Sequence, residues 1–144
     1  MGRVCLNRGL PVAAVRFFRE GFVAEPGLLD GANALDAVTA AVWAAFGRGE
    51  DALRLPDAER ERHRHQAYDW LRAEFRLWQG RANGATEKGQ AAIRQAMTQR
   101  LLNVDLALLR DEKELAKLPE TEQANWRKLW SEIEALRKQV QSKR

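Results

Sequence analysis

Apolar side chains in this chain recur at steps of three and four, the rhythm of helices rather than strands. Ala14, Val15, Phe18 and Phe22 share one face of a helix predicted over Val12–Glu25, opened by Pro11 and stopped by Glu25-Pro26-Gly27. A second helix is predicted from about Ala32 to Phe46, with Gly47 as a left-handed cap. Its interior is small (Ala37, Ala40, Ala41, Ala44, Ala45) apart from Trp43, and small side chains let a neighbouring helix come close. A third helix is predicted to begin at Pro56-Asp57, with Asp57, Glu59 and Glu61 in its early turns, where carboxylates favour the helix dipole. Its first half, DAERERHRHQ, has almost no apolar face and is predicted to be solvated, held by the pairs Glu59–His63 and Glu61–His65. Its second half, QAYDWLRAEFRLWQ, turns amphipathic, with Ala67, Trp70, Leu71, Glu74, Phe75, Leu77 and Trp78 clustered and Asp69, Arg72 and Arg76 off that face.

After the polar turn GRANG (80–84), Thr86 is placed to cap a helix from Glu87 to about Leu102 that carries Ile93, Met97 and Leu101 on one side. The stretch 103–111 is ambiguous, and a brief helix over Glu112–Lys117 leads to Leu118-Pro119-Glu120, a repeat of the Leu55-Pro56-Asp57 start. The last helix, to about Gln141, places Trp126, Leu129, Ile133, Leu136 and Val140 on a heptad seam. That seam spans about two heptads where a coiled coil needs three to four, so packing onto the rest of the chain is the default.

Leu and Ala are abundant while Ile, Thr and Tyr are scarce, which agrees with an all-α chain. Its 144 residues suffice for one domain with its own core. The single cysteine, Cys5, cannot form an internal disulfide and reads as a small buried thiol in a reducing or indifferent compartment. No secretory signal pattern is visible, and the longest weakly charged run, Ala34–Phe46, is shorter than the roughly 20 residues of a membrane span. The expectation is a cytoplasmic chain with no membrane partner. The pI of 9.6 raises the question of nucleic acid. Basic and acidic residues balance over 1–46 and over 47–80, and the excess lies mainly around Arg81, Lys88, Arg94 and Arg100. So small an excess is no concentrated phosphate-binding face, which disfavours nucleic acid as the partner and leaves these four residues as a candidate basic patch.

Gly9, Ala14, Phe18, Gly21 and Pro26 have the spacing of the second helix of a tetratricopeptide repeat, although Gly21 stands where the repeat prefers Ala. Ala40, Trp43, Gly47 and Ala52 follow as small, aromatic, turn and small positions of a next repeat. The predicted fold is therefore one all-helical domain, 1–144. Tetratricopeptide-like hairpins fill 1–53, and three longer antiparallel helices packed as a bundle fill 54–144. Most of an opening helix for the first repeat is missing, a hint of a larger protein, although the sequence leaves open whether the chain is complete.

The segments AVRFFREGFVAEPGL (14–28), AVWAAFGRGEDA (41–52), DAERERHRHQAYDWLRAEFRLW (57–78) and ELAKLPETEQANWRKLW (114–130) carry a wider likeness. In this order they resemble the C-terminal helical region of bacterial serine/threonine protein kinases that contain tetratricopeptide repeats. The likeness departs at Leu35-Asp36, where that family has Tyr-Asn, and near Arg100, where it has a tryptophan. The resemblance implies an accessory region that binds or positions partners beside a kinase domain. It implies no kinase activity here, because the glycine-rich phosphate loop, strand lysine, His-Arg-Asp and Asp-Phe-Gly motifs are all missing from the sequence.

Candidate chemistry is sparse. His63 and His65, the only histidines, stand two residues apart on a helix and point about 200° apart, so they cannot share one metal ion. No nucleophile has a base near it in sequence, and no cofactor motif is present. The expectation is a non-enzymatic module that needs no metal or cofactor and binds a protein partner. Ala37, Val38 and Ala41, on the first helix of a repeat, and the aromatic pair Trp126 and Trp130 are its candidate contacts. They are not the Lys and Asn of a carboxylate clamp, so an apolar or helical partner is expected. A homo-oligomer through the Trp126–Val140 seam is the structural alternative.

Overall fold

The computed structural model describes residues 2–142. They form seven α-helices, α1 Gly2–Asn7, α2 Pro11–Ala24, α3 Gly31–Ala45, α4 Asp57–Ala82, α5 Glu87–Leu102, α6 Glu112–Leu115 and α7 Glu120–Ser142. Short 3-10 turns lie at Pro26–Leu28, Glu50–Ala52 and Asp105–Leu109. No strand occurs among the described residues, so the fold is all-α. The chain divides into two compact units, Met1–Glu74 and Phe75–Arg144, and the division falls inside α4.

In the first unit α1, α2 and α3 pack on one another. The alanines make this possible: Ala34, Ala37, Ala40, Ala41, Ala44 and Ala45 are buried with Val38 and Val42, so α3 is covered on nearly every side while Trp43 keeps partial exposure. α1 and α3 end alike, on Gly9 and Gly47 at φ 73° and 71°. In each case the next amide reaches back five residues, Leu10 N–H to the Cys5 carbonyl and Arg48 N–H to the Trp43 carbonyl, both at 2.9 Å.

Pro11 opens α2, and Leu10 before it has no side-chain oxygen with which to cap the helix. The free amides of Val12 and Ala13 donate instead to the two carboxylate oxygens of Asp51, each at 3.0 Å. A neighbouring bond runs from Glu50 N–H to the Gly9 carbonyl at 2.9 Å. This close approach requires glycine at 49, where φ is +133° and a Cβ would lie 2.4 Å from Pro11 Cδ and 2.8 Å from the Gly9 oxygen. α4 then lays Trp70 edge-on against Phe22, ring centroids 5.4 Å apart, while Arg19 Nε donates to Gln66 Oε1 at 3.1 Å.

In the second unit α5 packs against α7, and the Asp105–Leu109 turn packs against α5 and α6. Thr86 caps α5 as its sequence position suggests, accepting from Gly89 N–H at 3.1 Å. At the other end of α5, Arg110 Nη1 donates to the carbonyls of Arg100 and Asn103, while Asn103 Oδ1 accepts from the amides of Asp105 and Leu106. The ambiguous stretch is thus a tight turn whose polar ends are satisfied by its own side chains. Trp126 and Trp130 stack at 6.0 Å, and Trp130 Nε1 donates to the Leu109 carbonyl at 2.8 Å.

Two substitutions test these supports by urea denaturation at neutral pH. Asp51→Ala should cost about 1–2 kcal/mol, the loss of a helix cap, with an unchanged m-value. Trp126→Ala, which empties a fully buried ring site, should cost about 3–5 kcal/mol.

Candidate functional site

The sequence-predicted contacts are distributed very differently from the expectation. Ala37, Val38 and Ala41 are each 0% exposed, because α1, α2 and the Glu50–Ala52 turn pack on α3, and they have no surface to offer a partner. Trp126 and Trp130 are buried as well, and Arg110 lies over the Trp130 ring at 5.8 Å. Leu129, Ile133 and Val140 are buried and Leu136 half-buried, so the heptad seam of α7 is already covered. Its apolar spacing records packing within this chain.

The basic patch also changes. Arg81 and Lys88 are exposed and Arg94 is half-buried, but Arg100 retains 2% exposure with its guanidinium 5.9 Å from the Trp78 ring centre. A guanidinium can be buried against an aromatic face, which a count of charges along the sequence does not reveal. Arg81 borders an open depression with Gly84, Thr86 and Gly89 at the start of α5.

The polar half of α4 divides in the same way. Glu61 and His65 form the expected exposed pair, at 3.9 Å. Glu59 instead takes Arg62 at 2.6 Å, and His63 is buried at 6% exposure. His63 lies four residues before Ala67 and seven before Trp70, so it continues their buried stripe. A neutral imidazole can enter that position where the guanidiniums and carboxylates beside it cannot.

The first unit carries a groove on α2 of about 220 Å³, lined by Gly2, Phe17, Phe18, Gly21, Phe22, Leu28 and Asn33. Phe18 and Phe22 stack at 5.8 Å to form one wall, and Trp70 braces Phe22 from behind. Arg16 lies over the Phe17 ring at 5.4 Å. The turn Pro26–Leu28 raises Leu28 as a lip, 40% exposed. Gly2 abuts the Phe18 ring so closely that a Cβ there would fall 2.7 Å from it. Gly21 makes the gap: a Cβ added to it would meet nothing within 4 Å. Asn33 is the one lining residue with a polar side chain.

Sequence reasoning passed over this groove although two signals were present. Phe17, Phe18 and Phe22 supply more aromatic surface than one helix face needs, and Gly21 replaces the alanine of the repeat pattern. No family model matches the chain, and no curated protein or solved structure resembles it closely enough to count as a match.

Because Gly21 sits in a helix with open space around its Cα, Gly21→Ala should raise stability by about 0.5–1 kcal/mol. A thermal melt compares the two; a lowered midpoint would show that the position is more crowded than its geometry indicates.

Proposed function

We propose that this chain is a non-enzymatic protein–protein interaction module, an accessory region of a larger signalling protein, and that it receives an apolar-faced helix of a partner in the groove on α2. The observation that carries this reading is the groove's lining of aromatic rings and Leu28 around the space left by Gly21. Its volume is below the roughly 300–1,000 Å³ of small-molecule sites, yet it suits two or three apolar side chains from one face of a helix. An almost wholly apolar lining, with Asn33 its one polar side chain, gives a phosphate or a sugar little to bond.

The resemblance to the helical region of tetratricopeptide-containing kinases supports an accessory role, and the sequence holds none of the kinase motifs. Self-association through α7 is the weaker reading, because most of its seam is buried. Nucleic-acid binding loses Arg100 from the candidate patch, leaving Arg81, Lys88 and Arg94.

Panning a displayed library of amphipathic helical peptides against the full chain tests the groove. Peptides with apolar anchors at i and i+3 or i+4 should be enriched, with Kd on the order of micromolar for so small a contact. Gly21→Phe, which fills the groove, should weaken the selected peptides about tenfold or more while leaving the melt within a few degrees of wild type. Binders indifferent to Gly21→Phe, or no enrichment at all, would overturn the proposal.

A further inference from the structure

The buried histidine of α4 has no role in the groove, and its surroundings are unusual for a structural residue. His63 stands on the stripe Arg60, His63, Ala67, Trp70, spaced three, four and three residues apart along the face that α4 turns into the first unit. Its Nδ1 is buried and has no hydrogen-bond partner among the described residues. A buried nitrogen without a partner costs free energy, which a purely structural position would avoid with an apolar side chain.

The charged groups around it come from three elements. Arg19 faces it from α2, Asp51 from the Glu50–Ala52 turn and Glu59 from the preceding turn of α4 itself. Each is already engaged. Arg19 donates to Gln66, both Asp51 oxygens accept from the first amides of α2, and Glu59 holds Arg62. A proton on His63 would therefore place an imidazolium beside the Arg19 cation. Glu59 and then Asp51 pull the other way, but Glu59 is already paired with Arg62 and Asp51 already accepts from the first amides of α2.

We propose that His63 is a proton-operated latch: neutral, it seats the first turns of α4 against α2 and the Glu50–Ala52 turn, and protonated, it releases them. Polar contacts support α4 near the latch. Arg60 Nε donates to the Leu55 carbonyl, its guanidinium lies close to Gly47 at the end of α3, and Gln66 meets Arg19. The aromatic contact of Trp70 with Phe22 lies two turns further on, so the opening can stop there.

The direction of the pH response follows from the same surroundings. Burial first, then Arg19, lowers the proton affinity of folded His63 below its ordinary value of 6.5, outweighing the opposite pull of Glu59 and Asp51. The unfolded or released chain therefore binds a proton more readily than the seated one. The stabilisation from a neutral His63 is complete above about pH 6.5 and is lost as pH falls from there through the folded value.

Hydrogen exchange of the full chain at about pH 7.5 and about pH 5, corrected for the intrinsic rate, tests the latch. Amides in 57–66 and 12–15 should exchange about tenfold faster at the lower pH, while those of α5 and α7 keep their protection. His63→Gln should abolish the response, and His65→Gln, at an exposed site, should preserve it. Equal protection at both pH values, a response that survives His63→Gln, or protection lost uniformly along the chain would each overturn the latch. Should His63→Gln fail to fold, proton NMR titration of the wild-type chain decides instead. The two histidine signals are assigned by His65→Gln, and the latch requires His63 to titrate below its ordinary value of 6.5, in step with the opening of 57–66. A His63 midpoint at or above 6.5 would overturn it.

Discussion

The first unit depends on one carboxylate, Asp51, which satisfies the start of a helix 39 positions earlier in the chain. α2 opens with proline and follows a leucine, so its sequence holds a good first residue and no local cap. Free amides at a helix start demand an acceptor, and a distant Asp supplies a charged one with both oxygens. This requirement brings Glu50–Ala52 back to Gly9-Leu10-Pro11, which in turn admits only glycine at 49. The loop so closed contains all of α3, whose alanines let α1 and α2 come close to it. Three features that look unrelated along the sequence, a proline start, a Gly-Arg-Gly turn and an alanine-rich helix, are parts of one closure.

The second unit uses the same economy at different places. Arg110 closes the free carbonyls at the end of α5, Asn103 satisfies the start of the following turn, and the Trp130 ring nitrogen holds that turn to α7 through Leu109. Such bonds stabilise modestly one by one, but a buried group left unpaired costs more than its bond contributes. They therefore decide which arrangement of the apolar surface is chosen, while the apolar surface supplies most of the driving force. The exposed Arg127–Glu112 pair between α7 and α6 adds little to stability by comparison.

This division explains which function-related features lie on the surface. A helical chain buries most of its larger apolar residues, and single ones such as Val23, Leu102 and Val104 stay exposed. Here four of the five tryptophans and the small residues of α3 go inside, and an absent Cβ at Gly21 leaves open space beside the phenylalanines of α2. The buried histidine is the complementary case, a polar side chain kept where an apolar one would pack at lower cost.

Periodicity and end signals alone determined the all-α class, the five long helices to within a few residues, the Gly47 cap, the Thr86 cap and the exposed Glu61–His65 pair. These are local matters, because a helix start, a helix stop and an i,i+4 pair involve residues within one or two turns. Only the tertiary structure decided that Asp51 caps α2, that His63 and Arg100 are buried, that Ala37, Val38 and Ala41 are covered, and that the opening lies at Gly21. Each of these depends on a neighbour far away in the chain. Burial and hydrogen-bond partnership are properties of pairs of elements, and one-dimensional spacing carries no information about which elements meet.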